Sequence, residues 1–104
     1  MVEVKFTEQA LNDIEEIALY ISADSPHYAS LQVQKIFSKT DILENFPNIG
    51  RIVPEVKHKF VREIIEGNYR IIYFIFSKTE IHILTIHHSS RKLVRTRLKK
   101  LIRK

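Results

Sequence analysis

The spacing of apolar residues changes once along the chain, at Gly50-Arg51-Ile52-Val53-Pro54, from steps of three and four to the dense, β-branched pattern of strands. That change predicts a helical first half and a sheet-forming second half within 104 residues, a length suited to one domain. Ala10, Leu11, Ile14, Ile17, Ala18 and Ile21 mark the apolar stripe of a helix from about Glu8 to Ser22, with Asn12, Asp13, Glu15 and Glu16 on its wet face. The Thr7 hydroxyl is placed to cap it. Ser25-Pro26 is a second start signal, and Ala29, Val33, Ile36, Phe37, Thr40 and Leu43 carry a second stripe until Pro47, Asn48 and Gly50 end it. The link is short, so the two helices are expected as an antiparallel hairpin. Ahead of them Val2, Val4 and Phe6 alternate with Glu3 and Lys5, the pattern of a short strand.

In the second half Phe60–Ile65, Tyr69–Phe76 and Glu80–His88 are rich in β-branched and aromatic residues and are joined by short turn-forming links. They are expected as an antiparallel meander. A helix is expected from about Arg91 to Ile102, with Val94, Leu98, Leu101 and Ile102 as its apolar seam and cations elsewhere. The fold class is therefore α+β in the order β-α-α-β-β-β-α, with one domain over residues 1–104. Three-residue loops would set Arg70 opposite Ile86 and Ile64, and Arg62 opposite Ile72. Ile71, Tyr73, Ile75, Ile81 and Ile83 would then face the hairpin, while Arg62, Arg70, His82 and His88 would share the other face.

Charge is divided as sharply as period. Residues 1–50 carry three basic and eight acidic side chains, whereas residues 51–104 carry fourteen basic and four acidic ones. From Arg91 to Lys104 there are eight Lys or Arg and no acid. Such a half calls for a polyanionic partner, or else is a solvated basic helix. The absence of Cys removes disulfides, thiolate metal sites and cysteine nucleophiles. No signal peptide is read at the N-terminus, and the longest apolar run, Ile71–Phe76, is far short of the ~20 residues that cross a bilayer. A cytoplasmic protein that does not enter membranes is expected.

Few residues are candidates for chemistry. Arg70 interrupts an apolar strand, and it either holds a phosphate through its two-pronged guanidinium or pairs structurally with Glu63 or Glu66. Arg62 has the same two readings. His87 and His88 end a strand and either moves protons near neutral pH or is a surface histidine; as neighbours they point to opposite faces and make a poor metal pair. His27, His58 and His82 read as bystanders. Arg51, Lys57 and Lys59 are loop cations able to meet phosphates. No Gly-rich phosphate loop, Ser-His-Asp set or carboxylate cluster is present, so no metal or cofactor is expected, and any nuclease chemistry would use the RNA's own 2′-hydroxyl.

The strings Gly50-Arg51-Ile52-Val53-Pro54-Glu55, Val61-Arg62-Glu63-Ile64, Asn68-Tyr69-Arg70-Ile71-Ile72-Tyr73 and Ile83-Leu84-Thr85-Ile86-His87-His88, followed by Arg91-Lys92-Leu93, resemble the RelE/ParE superfamily of bacterial type II toxins. With Ala10, Ile14, Ile17 and Tyr20-Ile21 the likeness covers nearly the whole chain. It implies an antiparallel sheet under an N-terminal helical hairpin, and growth arrest relieved by a co-encoded, usually acidic antitoxin whose disordered arm folds on the toxin. The basic half suits that partner as well as RNA. RelE-like members cut mRNA on the ribosome without metal, using Arg and Lys with a C-terminal Tyr or a His. ParE-like members poison DNA gyrase and lack the full set. Arg70 matches the sheet arginine that RelE-like toxins place at the scissile phosphate, and Arg62 and Arg91 fall near other basic positions. No tyrosine follows Tyr73, so His87 or His88 would have to replace the missing acid/base. The Gly-Arg-Ile-Val-Pro-Glu and Val-Arg-Glu strings are more similar to the ParE-like branch.

The resemblance thus implies a growth-arresting toxin, leaning toward gyrase inhibition through the basic C-terminal region. The alternatives are a ribosome-dependent mRNA endonuclease, with Arg70, Arg62, His87 and His88 as its catalytic residues, and an inactive homologue that only binds its antitoxin. Arg51, Lys57, Lys59, Arg91, Lys92 and Arg95 are the expected contacts to nucleic acid or target.

Overall fold

A computed structural model describes residues 1–102. Both capping residues act as their sequence context demands. The Thr7 hydroxyl accepts from the Ala10 N–H (3.1 Å) to open α1 (Glu8–Ser22), and Ser25 accepts from the Tyr28 N–H (3.2 Å) to open α2 (Pro26–Ile42) with Pro26 in its first turn. The Thr7 hydroxyl also lies 2.9 Å from the carbonyls of Ile83 and Leu84, so one residue starts the helix and fastens it to the sheet.

The sheet has five strands in the order β1-β5-β4-β3-β2: β1 (Glu3–Phe6), β2 (Arg51–Ile52), β3 (Val61–Glu66), β4 (Tyr69–Ile75) and β5 (Glu80–His88). The meander is antiparallel, but β1 runs parallel to β5, so the sheet is mixed rather than wholly antiparallel. β2 was not expected, because two residues are too few to show a period. The hairpin covers one face, where Ala10, Ile14, Ile36 and Leu43 close on Ile71, Tyr73, Ile81, Ile83 and Ile86. A second core lies on the opposite, outer face. There Val53, Val56 and Val61 pack with Ile72, Leu84, Leu93 and Leu98, the last from α3 (Arg95–Ile102). Burying each such side chain is worth about 1.5–3 kcal/mol, and Leu98, with Leu101 and Ile102 beside it, fastens α3 to the sheet.

Two features correct the expected register. The β3–β4 link is a two-residue turn at Gly67-Asn68, with Gly67 at φ 59°, so Glu66 pairs with Tyr69 and Ile65 with Arg70. β5 is bulged: Ile72 pairs with Thr85 and Tyr73 with Ile83, leaving Leu84 without a counterpart. Arg70 consequently pairs with His87 and not Ile86, and Arg62 pairs with Tyr73 and not Ile72. Arg62 and His88 thus lie on the hairpin side, while Arg70 and His82 remain on the outer face. A single-residue slip exchanges the faces, and here it separates two arginines that the expected loops had placed together.

The last helix starts at Arg95, four residues later than expected. Residues 89–91 form a turn and 92–94 are irregular instead: the Ser89 N–H donates to the Asn68 carbonyl (2.7 Å) and the Arg91 N–H to that of His88 (3.1 Å). Leu93 rather than the exposed Val94 fills the outer core.

Candidate functional site

The most ordered group of charges lies on the outer face. Arg70 donates through Nε to Glu63 Oε1 at 2.6 Å, and through Nη1 and Nη2 to the two oxygens of Glu55 at 2.9 and 2.7 Å. Arg51 donates through Nε to the other Glu63 oxygen at 2.5 Å. Glu63 has no exposed side-chain surface and Arg70 has 10% of it, whereas Glu55 keeps 38% and Arg51 65%. Two arginines and two glutamates thus form one neutral chain, shielded at its centre and open at both ends. The bonds from Arg70 hold the Glu55 carboxyl down to about 2. The Glu55 carboxylate in turn, with Glu63, pushes the Arg70 guanidinium further up and keeps it charged.

Glu63 was one of the two ion-pair partners weighed from the sequence for Arg70; Glu66 does not take that place. Glu55 was missed. It lies 15 positions from Arg70 in a loop without periodicity, and only the turn formed by Val56 and Lys57 on the Val53 carbonyl brings it over the sheet. Lys57 adopts φ 57° in that turn, a left-handed conformation that bulky residues rarely take.

Arg62 is occupied elsewhere. Its Nη1 donates to the Gly50 carbonyl (2.9 Å) and its Nε to that of Lys59 (3.2 Å), which fixes the chain before β2 to β3. Gly50 is packed too tightly for any side chain: an added Cβ would stand 2.6 Å from the Glu63 carbonyl oxygen and 2.7 Å from the Tyr73 hydroxyl. That hydroxyl accepts from the Gly50 N–H (3.0 Å) and donates to the Pro47 carbonyl (2.8 Å), and burial pushes its pKa up.

The two histidines do not converge. His87 shares the outer face with Arg70, and its Nε2 meets the Arg91 carbonyl at 2.8 Å. His88 packs edge-on against Tyr69, 5.3 Å between centroids, and its Nδ1 meets the Ser90 hydroxyl (2.7 Å) and N–H (3.1 Å). Asp13, read from the sequence only as a wet helix position, accepts the Thr85 hydroxyl and the Ile86 N–H (3.0 Å), tying α1 to the bulged end of β5. An open groove of about 550 Å³ runs from Asp13 and Glu16 to His87, Arg91, Lys92 and Arg97. Arg91, Lys92 and Arg95 are exposed, and among the described residues they make no salt bridge. Lys57 and Lys59 are exposed on the loop before β3, with Lys59 Nζ 4.9 Å over the Phe60 ring.

Among the described residues no three His, Cys, Asp or Glu side chains gather as metal ligands, and no helix is long and apolar enough to cross a membrane. Arrangement and charge therefore offer one spent arginine network and one free basic surface.

Comparison with known proteins agrees with this architecture. Residues 4–93 match the family described as the ParE toxin of type II toxin–antitoxin system, parDE. The protein Y4kP of Sinorhizobium fredii is 28% identical over 86% of this chain and 90% of its own. Toxin RelE2 of Caulobacter vibrioides is 28% identical over 88% and 99%. A solved chain from the chromosomal ParDE TA system of P. aeruginosa superposes with a TM-score of 0.69 at 26% identity, covering 85% of this chain and 96% of its own.

Proposed function

The chain belongs to the ParE toxin family and is the toxin of a type II toxin–antitoxin system, with an antitoxin as partner; from that premise we propose that it arrests growth by binding DNA gyrase through the cations of residues 91–100. The observation that carries this reading is the state of Arg70. Cleaving RNA through its 2′-hydroxyl needs a base, an acid and cations free to meet the charge that grows on the phosphate. Here the Arg70 fork is filled by the Glu55 carboxylate and its Nε by Glu63, so a phosphate would have to expel Glu55 first. Arg62 is committed to two carbonyls on the other face, and His87 and His88 point apart. The free positive charge lies instead on the exposed turn and α3, where it suits an acidic target surface and an acidic, co-encoded antitoxin alike. Both targets place the protein in the cytoplasm.

The test is a supercoiling assay with the purified chain. Inhibition is expected, with its loss in the combined Arg91→Glu, Lys92→Glu, Arg95→Glu variant, whose changes touch only exposed side chains. Deleting residues 92–104 is a poorer test, since it strips Leu93 and Leu98 from the outer core. A relative named RelE2 supports the second reading, a metal-independent mRNA endonuclease acting through Arg70, Arg62 and His87 or His88. New 3′ ends inside ribosome-occupied codons, found by primer extension, would establish that reading and end the first. Expression without growth arrest would leave an inactive homologue that binds only its antitoxin.

A further inference from the structure

The hairpin covers one face of the sheet and leaves its own far side open. Along the solvent side of the α1–α2 seam runs an apolar groove of about 390 Å³. Its α1 wall continues the line Leu11, Glu15 and Leu19, every fourth residue of the helix. Leu19 is 66% and Leu11 50% exposed, and Phe37, four residues beyond Val33 on α2, is 38% exposed. Neither leucine serves the fold, since α1 meets the sheet through Ala10, Ile14 and Ile17. Small side chains line the groove between the walls, Ala18 and Ser22 from α1 with Ala29 and Ser30 from α2.

The rim is acidic. Glu15 lines the groove, and the exposed Glu8 and Asp41 continue its two walls at one end, two helical turns from Glu15 and from Gln34. Among the described residues these three carboxylates make no salt bridge, and no cation lines the groove. Lys35 and Lys39 belong to the other side of α2, about 140° and 180° around the helix from Ser30.

A groove that follows two helices, with small side chains along it, lets a third helix axis settle at about 8–10 Å. Its leucines ask for an apolar stripe on that helix, and its carboxylates ask for cations beside the stripe. An acidic antitoxin arm or a nucleic acid would meet like charge here. A second copy's hairpin would bring the same carboxylates, and its basic α3 keeps Leu98 in its own core, 1% exposed. We propose that this groove docks a basic amphipathic helix of a partner protein distinct from the acidic antitoxin. The proposal does not rest on the gyrase reading, because the cations of residues 91–100 lie outside the hairpin.

The experiment is fluorescence anisotropy with the full chain and a labelled synthetic helix of about eighteen residues, or five turns. The probe carries Leu at i, i+3, i+4 and i+7 positions and Lys elsewhere, and a second peptide has Glu in place of Lys. The Lys peptide is expected to bind, and Leu19→Ala and Glu15→Lys to weaken it about tenfold each at unchanged melting temperature. Phe76→Ala, which removes an exposed ring outside the hairpin, is expected to leave binding as it was. No binding, or equal affinity in the Leu19 and Glu15 variants, overturns the proposal. A preference for the Glu peptide overturns it in favour of the acidic antitoxin. A dimer that Leu19→Ala dissociates in sedimentation overturns it in favour of a second copy. Binding of the Lys peptide through Leu19 by a chain that leaves supercoiling untouched supports the groove and removes the gyrase reading, so the two fail separately.

Discussion

Glu63 offers the sharpest test of what holds the outer face. Its carboxylate accepts at both oxygens, from Arg70 Nε at 2.6 Å and Arg51 Nε at 2.5 Å, with no exposed side-chain surface. Glu63→Gln keeps the shape but must turn an NH₂ group toward one of these donors. It also leaves the shielded Arg70 with Glu55 as its only counter-charge. Breaking a buried pair by changing one partner costs about 3–5 kcal/mol, and the exposed Arg51 adds at most about 1. Because Glu55 still compensates Arg70 through two bonds, the lower end applies, about 3 kcal/mol. For a domain of this size that is a fall of roughly 12–18 °C in melting temperature. The partner experiment is Glu63→Leu with Arg70→Met, which removes both buried charges and leaves Glu55 in water. Recovery to within about 1 kcal/mol of the parent is expected. Thermal and urea melts of the three proteins read both values. If Glu63→Gln melts within about 3 °C of the parent, or the double variant is no better than the single one, the network does not carry the face.

Three further outcomes follow from contacts described above. Glu55 is held at about 2 against an ordinary 4.5, so the stability it contributes is complete above pH 4.5 and is lost as the pH falls toward 2; acid melts should show this loss, and Glu55→Gln should flatten it. Gly50→Ala should cost about 3 kcal/mol in urea unfolding, since the Glu63 backbone carbonyl cannot yield to a methyl group; a variant as stable as the parent would contradict the close approach. Asp13→Ala should cost about 2 kcal/mol by leaving the Thr85 hydroxyl and Ile86 N–H without their acceptor, and amide exchange at Ile86 should quicken with it.

Local chemistry in the sequence foretold the first two helices, because Thr7 and Ser25-Pro26 act within a few residues of themselves. The hairpin-side face was legible too, since Ile71, Tyr73, Ile81 and Ile83 alternate in strands long enough to show a period. What was not legible depended on single residues. The two-residue turn at Gly67 and the unpaired Leu84 each shift a register without leaving a pattern; the turn parted Arg62 from Arg70, and the bulge moved His88 to the hairpin side. The contact of Glu55 with Arg70 is tertiary, made by a loop whose path no spacing encodes. The free cations from Arg91 to Lys100 needed no geometry, as charge alone marked them.

The parallel pairing of β1 with β5 sets a schedule for synthesis. The first strand of the chain binds only the last, and the Thr7 hydroxyl waits for the Ile83 carbonyl, 76 positions on. At the roughly 5–20 residues per second of translation, that wait is about 4–15 s. During it the α1–α2 hairpin can form, but its apolar underside has no sheet to rest on until β5 has emerged. The nascent toxin therefore stays open until β5 has emerged, and an antitoxin made in the same interval meets a chain that has only just closed.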